Sequence, residues 1–87
     1  MKIREGFVLR QVADATIVVP SGSASLDFNG MITLNDTGAF LWKLLENDID
    51  EDGMVDAMLK EYEVDEETAR AGIRKFTERL EREGLLV

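Results

Sequence analysis

The hydrophobic pattern of the chain changes period near residue 35. Before that point, apolar and β-branched residues come in short runs. Phe7-Val8-Leu9-Arg10-Gln11-Val12 and Thr16-Ile17-Val18-Val19-Pro20 read as two strands separated by Ala13-Asp14-Ala15, since β-branched and aromatic side chains suit a pleated, half-buried surface. Pro20 has no amide to donate, so it ends its strand or lies on a sheet edge. Ser21-Gly22-Ser23 then reads as a turn, followed by Ser25-Leu26-Asp27-Phe28, Asn29-Gly30 and Met31-Ile32-Thr33-Leu34. Asn-Gly between two alternating segments predicts a two-residue hairpin, because both residues tolerate the positive φ of a type I′ turn.

After Leu34 the spacing turns helical. Asn35 is placed to cap a first helix on which Phe40, Leu41, Leu44 and Leu45 form one stripe. Asp50, Glu51 and Asp52 precede a second stripe of Val55, Met58, Leu59 and Tyr62, and acids suit the positive end of a helix dipole. Asp65 caps a third helix whose Ala69, Ile73, Phe76 and Leu80 share a face, and Gly84 follows as its C′ residue. Leu85-Leu86-Val87 turns back as an apolar tail over the end of the core. The expected layout is a single α+β domain over residues 1–87: a three- to four-stranded antiparallel sheet across residues 7–34, then helices at 36–47, 51–62 and 66–83.

Composition narrows the chemistry. The 87 residues include neither Cys nor His, which removes disulfides, thiol nucleophiles, the usual zinc ligands and imidazole acid–base catalysis. Ten Lys and Arg against 18 Asp and Glu give a net charge of −8, a balance that disfavours nucleic-acid backbones and anionic membranes. No apolar run reaches the ~18–20 residues of a membrane span. The opening Met1-Lys2-Ile3-Arg4-Glu5-Gly6 leads into an alternating segment rather than a signal core. The expectation is a cytoplasmic protein with no cofactor. Its charge is uneven: residues 46–67 hold eleven acids and only Lys60, a net of −10, whereas residues 68–83 hold five cations against Glu78, Glu81 and Glu83, a net of +2.

Several motifs compete with blander readings. Asp48-Ile49-Asp50-Glu51-Asp52-Gly53 reproduces the D-x-D-x-D-G start of a calcium loop, which makes Asp48, Asp50 and Asp52 metal candidates. The twelfth position, however, is Leu59, which has no oxygen to close the coordination sphere. An acidic turn with Asp50 as helix cap explains the same residues. Strands followed by three helices also resemble winged-helix DNA-binding domains. A recognition helix there carries excess Lys or Arg, and here Glu66, Glu67, Glu78, Glu81 and Glu83 cancel the cations of the third helix. Carboxylates on turns and polar faces have no pocket to raise a pKa, and Ser21, Ser23 and Ser25 lack a recognisable base, so catalysis is not expected. An acidic regulatory domain, calcium-binding or DNA-binding, is the alternative reading.

What remains is a surface. A small open sheet has edges whose amides and carbonyls lack partners, and an extended peptide satisfies them by adding a strand. On the third helix Arg70, Arg74, Thr77 and Glu81 form a stripe beside the apolar face, placed either to wall a peptide groove or to be a solvated face.

The run Phe28-Asn29-Gly30-Met31-Ile32-Thr33-Leu34-Asn35-Asp36-Thr37-Gly38-Ala39-Phe40-Leu41-Trp42-Lys43-Leu44-Leu45 resembles the core signature of the coenzyme PQQ synthesis protein D (PqqD-like) family. Leu59-Lys60-Glu61-Tyr62-Glu63-Val64-Asp65, with Phe76, Leu80 and Gly84-Leu85-Leu86, is similar to its remaining landmarks. The resemblance is most specific at Leu34-Asn35, Thr37-Gly38 and the aromatic-rich helix that follows. Much of it is structural: Asn35 can accept a hydrogen bond from the Gly38 or Thr37 amide, Leu34 can staple onto Ala39 or Phe40, and Gly38 leaves room for a close neighbour.

The resemblance implies a winged-helix-like domain, without catalytic activity, that recognises the leader of a ribosomally made precursor peptide. Such a RiPP recognition element presents the leader to a modifying enzyme, often a radical S-adenosylmethionine (radical SAM) protein. It implies that the leader adds as a strand beside Met31, Ile32, Thr33 and Leu34 and lies against the third helix at Arg70, Ile73, Arg74 and Thr77. There the arginines would pair with acidic leader residues and Ile73 would floor an apolar pocket. The segment from Pro20 to Phe28 is longer than the simplest three-strand pattern and admits a fourth strand at Ser25–Phe28, which would shift the open edge by one strand. Open edges also permit a domain-swapped homodimer.

Overall fold

A computed structural model of the chain describes residues 1–20 and 32–87. These form strands β1 (Phe7–Val12), β2 (Ala15–Pro20) and β3 (Ile32–Leu34), then helices α1 (Asp36–Leu45), α2 (Glu51–Glu61) and α3 (Glu66–Arg82). The sheet is antiparallel in the order β1-β2-β3, so the architecture is α+β, as the change of period requires. The expected Asn29-Gly30 hairpin, the strand at Ser25–Phe28 and Met31 lie outside the described residues. Contacts group the chain into two compact units, Met1–Ile3 with Leu41–Val87 and Arg4–Phe40.

In the sheet unit, Val12 lies opposite Ala15 and Phe7 opposite Pro20. Ala15 therefore belongs to β2 rather than to the connection, and Ala13-Asp14 is a two-residue turn. Hairpin turns that match strand twist need positive φ at the first central residue. Ala13 supplies it with a φ of 55°, a conformation that costs a side-chain-bearing residue roughly 1–2 kcal/mol. Pro20 closes β2, where its missing amide does least harm. β3 pairs with β2, with Ile32 opposite Val18 and Leu34 opposite Thr16. Val18, Ile32 and Leu34 share one face and are buried, while Val8 and Val12 on the other face are exposed.

The start of α1 explains part of the chain's most specific motif. Asn35 Oδ1 accepts a hydrogen bond from the Gly38 amide at 2.7 Å, which satisfies one of the orphan donors of the first turn. A Cβ on Gly38 would stand 3.1 Å from that oxygen and 3.4 Å from Leu34 Cβ. The close neighbour that this glycine admits is thus the cap itself and the apolar residue before it.

In the helical unit both remaining helices are capped in the same way: Asp50 accepts from the Gly53 amide and Asp65 from the Thr68 amide, each at 2.7 Å. α3 ends in a Schellman motif, with the Leu85 amide donating to the Leu80 carbonyl at 2.9 Å and the Gly84 amide to the Glu81 carbonyl at 3.0 Å. Gly84 adopts the left-handed φ of 71° that the motif requires. Leu80 and Leu85, the two apolar positions of that motif, are both fully buried. The core also takes Leu41, Trp42, Leu45, Met54, Val55, Met58, Ala69 and Ile73. Trp42 and Met54 lie outside the predicted stripes yet are buried, whereas Leu59, expected inside, is exposed. The tail does more than cover the core: Leu86 forms an antiparallel bridge with Ile3, and the Val87 amide donates to the Lys2 carbonyl at 2.9 Å. Among the described residues, no helix is long and apolar enough to cross a membrane.

Candidate functional site

β3 is only three residues long, but its two faces are fixed. Ile32 and Leu34 are buried and Thr33 between them is exposed, so the strand is anchored by its own side chains. One margin is bonded to β2; along the other, no described residue pairs with it. Alternate residues in an antiparallel ladder direct both backbone groups to the same side. Part of the β3 backbone therefore points away from β2, to the margin where no described residue pairs with it. Met31, the fourth residue expected in this strand, lies outside the described residues. β1 forms the opposite margin of the sheet and is exposed along most of its length.

The four residues expected on the third helix have partners inside the helical unit. Arg70 bonds Glu51 and stands 3.0 Å from Asp52, while Arg74 Nε donates to Glu51 Oε1 at 3.0 Å. The hydrogen bonds from Arg74, and then Arg70, hold the Glu51 carboxyl below its ordinary pKa, against the opposing effect of desolvation. The same hydrogen bonds raise both guanidinium pKa values. Ile73 is fully buried, and Thr77 is buried with its hydroxyl donating to the Arg74 carbonyl at 3.2 Å. That local bond satisfies a polar side chain on an apolar face. Sequence spacing correctly puts these four near one another on α3; their engagement with α2 has no signal in the spacing.

The acidic D-x-D-x-D-G segment is a loop only as far as Asp50. Asp50 caps α2, Glu51 and Asp52 already lie in its first turn, and Gly53 is the helical residue whose amide the cap receives. Asp48 bonds the Met1 ammonium at 3.0 Å, and Asp52 faces Arg70. The three metal candidates thus have three different partners. Among the described residues, no group of three acids is placed to hold a metal ion.

Comparison with known proteins agrees with this fold. A solved structure of TbiB1 in complex with the TbiA(beta) leader peptide is similar at 28% identity, with a TM-score of 0.76, covering 99% of this chain and 94% of that one. No match is found among curated proteins. Residues 16–86 match the family model described as coenzyme PQQ synthesis protein D (PqqD). That match spans β2 through the C-terminal tail, and the chain belongs to the PqqD family.

Proposed function

We propose that this chain is a cytoplasmic peptide-binding adaptor with no chemistry of its own: it binds the leader of a ribosomally synthesised precursor and presents it to a modifying enzyme of the radical SAM class. The leader adds as a strand to the outer margin of β3, at Ile32, Thr33 and Leu34. The observation that carries the reading is the margin of β3, which has no strand partner among the described residues. Membership of the family and the similarity to a protein solved with a leader peptide support it.

The physical logic is that of an ordered host and a disordered guest. Ile32 and Leu34 are buried, so the edge is organised before the peptide arrives, and the ordering cost falls on the guest. Backbone hydrogen bonds hold the peptide, and side-chain contacts choose among sequences. An affinity of about −8 kcal/mol, in the micromolar range, suits such a short added strand. Within the helical unit, Arg70 and Arg74 tie α3 to α2 through Glu51. The absence of His and Cys and the downward shift of the Glu51 pKa both fit a binding role better than a general acid.

A display library of random peptides tests the reading. Selected peptides are expected to shift the amides of residues 32–34 and slow their exchange. Methylating single backbone nitrogens of a selected peptide should weaken binding at alternate positions, the signature of strand addition. Tight peptides that leave residues 32–34 unmoved would refute docking at β3, and an empty selection would refute peptide binding. A second copy of the chain on the same edge would show as a dimer that selected peptides dissociate.

A further inference from the structure

The two faces of the sheet differ in kind. Side chains alternate along a strand, and the register sets Val8 opposite Val19, Arg10 opposite Ile17, Val12 opposite Ala15 and Ile17 opposite Thr33. These residues share the face opposite to buried Val18, Ile32 and Leu34. None of them is buried. Val8 and Val12 are 37% and 55% exposed, Arg10 and Thr33 are exposed, and Ala15, Ile17 and Val19 are half-buried. Among the described residues, Arg10 is the only charge on this face, and it enters no ion pair.

Folding alone does not select such a face. The outer side of an antiparallel sheet ordinarily alternates to polar residues. Strand propensity favours β-branched side chains, but threonine meets that preference without turning two methyl groups to water. Acids, which keep an outer surface solvated, are missing as well. The chain has 18 Asp and Glu, yet β1, β2 and β3 hold none. An exposed apolar patch around a single cation reads as an interaction surface.

We propose that this face docks the modifying enzyme, through a surface of aliphatic side chains set around one carboxylate, a proposal that rests on the adaptor reading above. Two observations choose that occupant. Arg10 offers a guanidinium among methyl groups, and a carboxylate pairs with it in a planar, two-bonded fork. A second copy of the chain would bring another Arg10 and no acid from its own strands. The face also continues into the guest. A leader strand added at the outer margin of β3 extends the sheet beside Thr33, and its alternate side chains join the same face. An enzyme seated there touches adaptor and leader at once, while the hydrogen-bonding margin stays with the leader. Burial of the valines supplies affinity, and the Arg10 pair fixes register and orientation.

The test uses the whole chain with β3 occupied by a strand-adding peptide from the selection above. The probe is a displayed helical scaffold randomised over one face, since helices pack on sheets. Selected scaffolds are expected to carry aliphatic residues around one Asp or Glu and to shift the amides of residues 8–12 and 15–19. Such a scaffold should lose about tenfold in affinity on Arg10→Gln. Its counterpart with Asn or Gln in place of the acid should bind both proteins alike. Val8→Thr/Val12→Thr, which keeps strand-forming side chains, should lose about tenfold as well. Both variants should hold the strand-adding peptide as the wild type does, because that peptide bonds the backbone of residues 32–34. An empty scaffold selection, scaffolds without acids, or acid-bearing scaffolds indifferent to Arg10→Gln would overturn the docking face and leave peptide binding standing. A chain that takes no strand-adding peptide would overturn the adaptor reading and the proposal with it. A dimer of the chain that dissociates in Val8→Thr/Val12→Thr would overturn the proposal in favour of a second copy.

Discussion

The helical unit and the sheet unit of this chain are held together to different degrees. In the helical unit Leu45, Met54, Ile73, Leu80 and Leu85 are fully buried, α2 and α3 are capped, and ion pairs tie these two helices together. In the sheet unit the buried apolar side chains among the described residues are Val18, Ile32 and Leu34, and Val8 and Val12 stay exposed. One unit has met nearly all its local needs. The other keeps a strand margin without a described partner. The described apolar burial is thus concentrated in the helical unit, and the β3 margin to which the leader is proposed to add belongs to the sheet unit, as expected where functional edges are drawn from the less secured parts of a fold.

The sharpest way to break that contrast is to remove a buried side chain from one unit and an exposed one from the other. Leu80→Ala should cost about 2–5 kcal/mol, a large share of the roughly 5–10 kcal/mol that a domain of this size has in total. Val12→Ala should change stability by less than about 0.5 kcal/mol. Urea melts read both, and comparable losses would show that the two units are not secured differently.

The helix boundaries come next. Gly84→Ala forces a Cβ into the left-handed region and should cost about 1 kcal/mol. Asn35→Ala removes the cap of α1 and should cost about 1 kcal/mol as well, with amide exchange speeding up at Gly38 before anywhere else in that helix.

A smaller effect is expected from pH. Glu51 has its pKa lowered in the folded state by Arg74 and Arg70, so its contribution is fully present above its unfolded value of about 4.3 and is lost as pH falls through the folded value. Melting temperature should therefore decline on acidification below about pH 5, and the decline should be shallower in Glu51→Gln. Identical slopes in the two proteins would remove the cross-helix pairs from the account.

The smallest effect has the opposite sign. Ala13 holds a φ of 55° in the β1–β2 turn, so Ala13→Gly relieves strain in the less secured unit. It should stabilise the protein by about 0.5 kcal/mol, the strain relieved less the entropy that glycine adds to the unfolded chain. A loss of stability would mean that the turn tolerates alanine without cost.

The sequence by itself determined the features that depend on near neighbours. The change of period near residue 35 marks the passage from sheet to helices, and Asn35, Asp50, Asp65 and Gly84 mark helix ends correctly because each acts on backbone groups a few residues away. The apolar spacing of α3 likewise anticipates Ala69, Ile73 and Leu80 in the core. Partner choice across long gaps was decided only by the tertiary structure. Nothing in the spacing of α3 says that Arg70 and Arg74 turn to Glu51 while Lys75 and Arg79 do not, or that Leu86 pairs with Ile3. Trp42 and Met54 enter the core for the same reason. A helix has two flanks beside its apolar stripe, its own period treats them alike, and the packing of a neighbour breaks that symmetry.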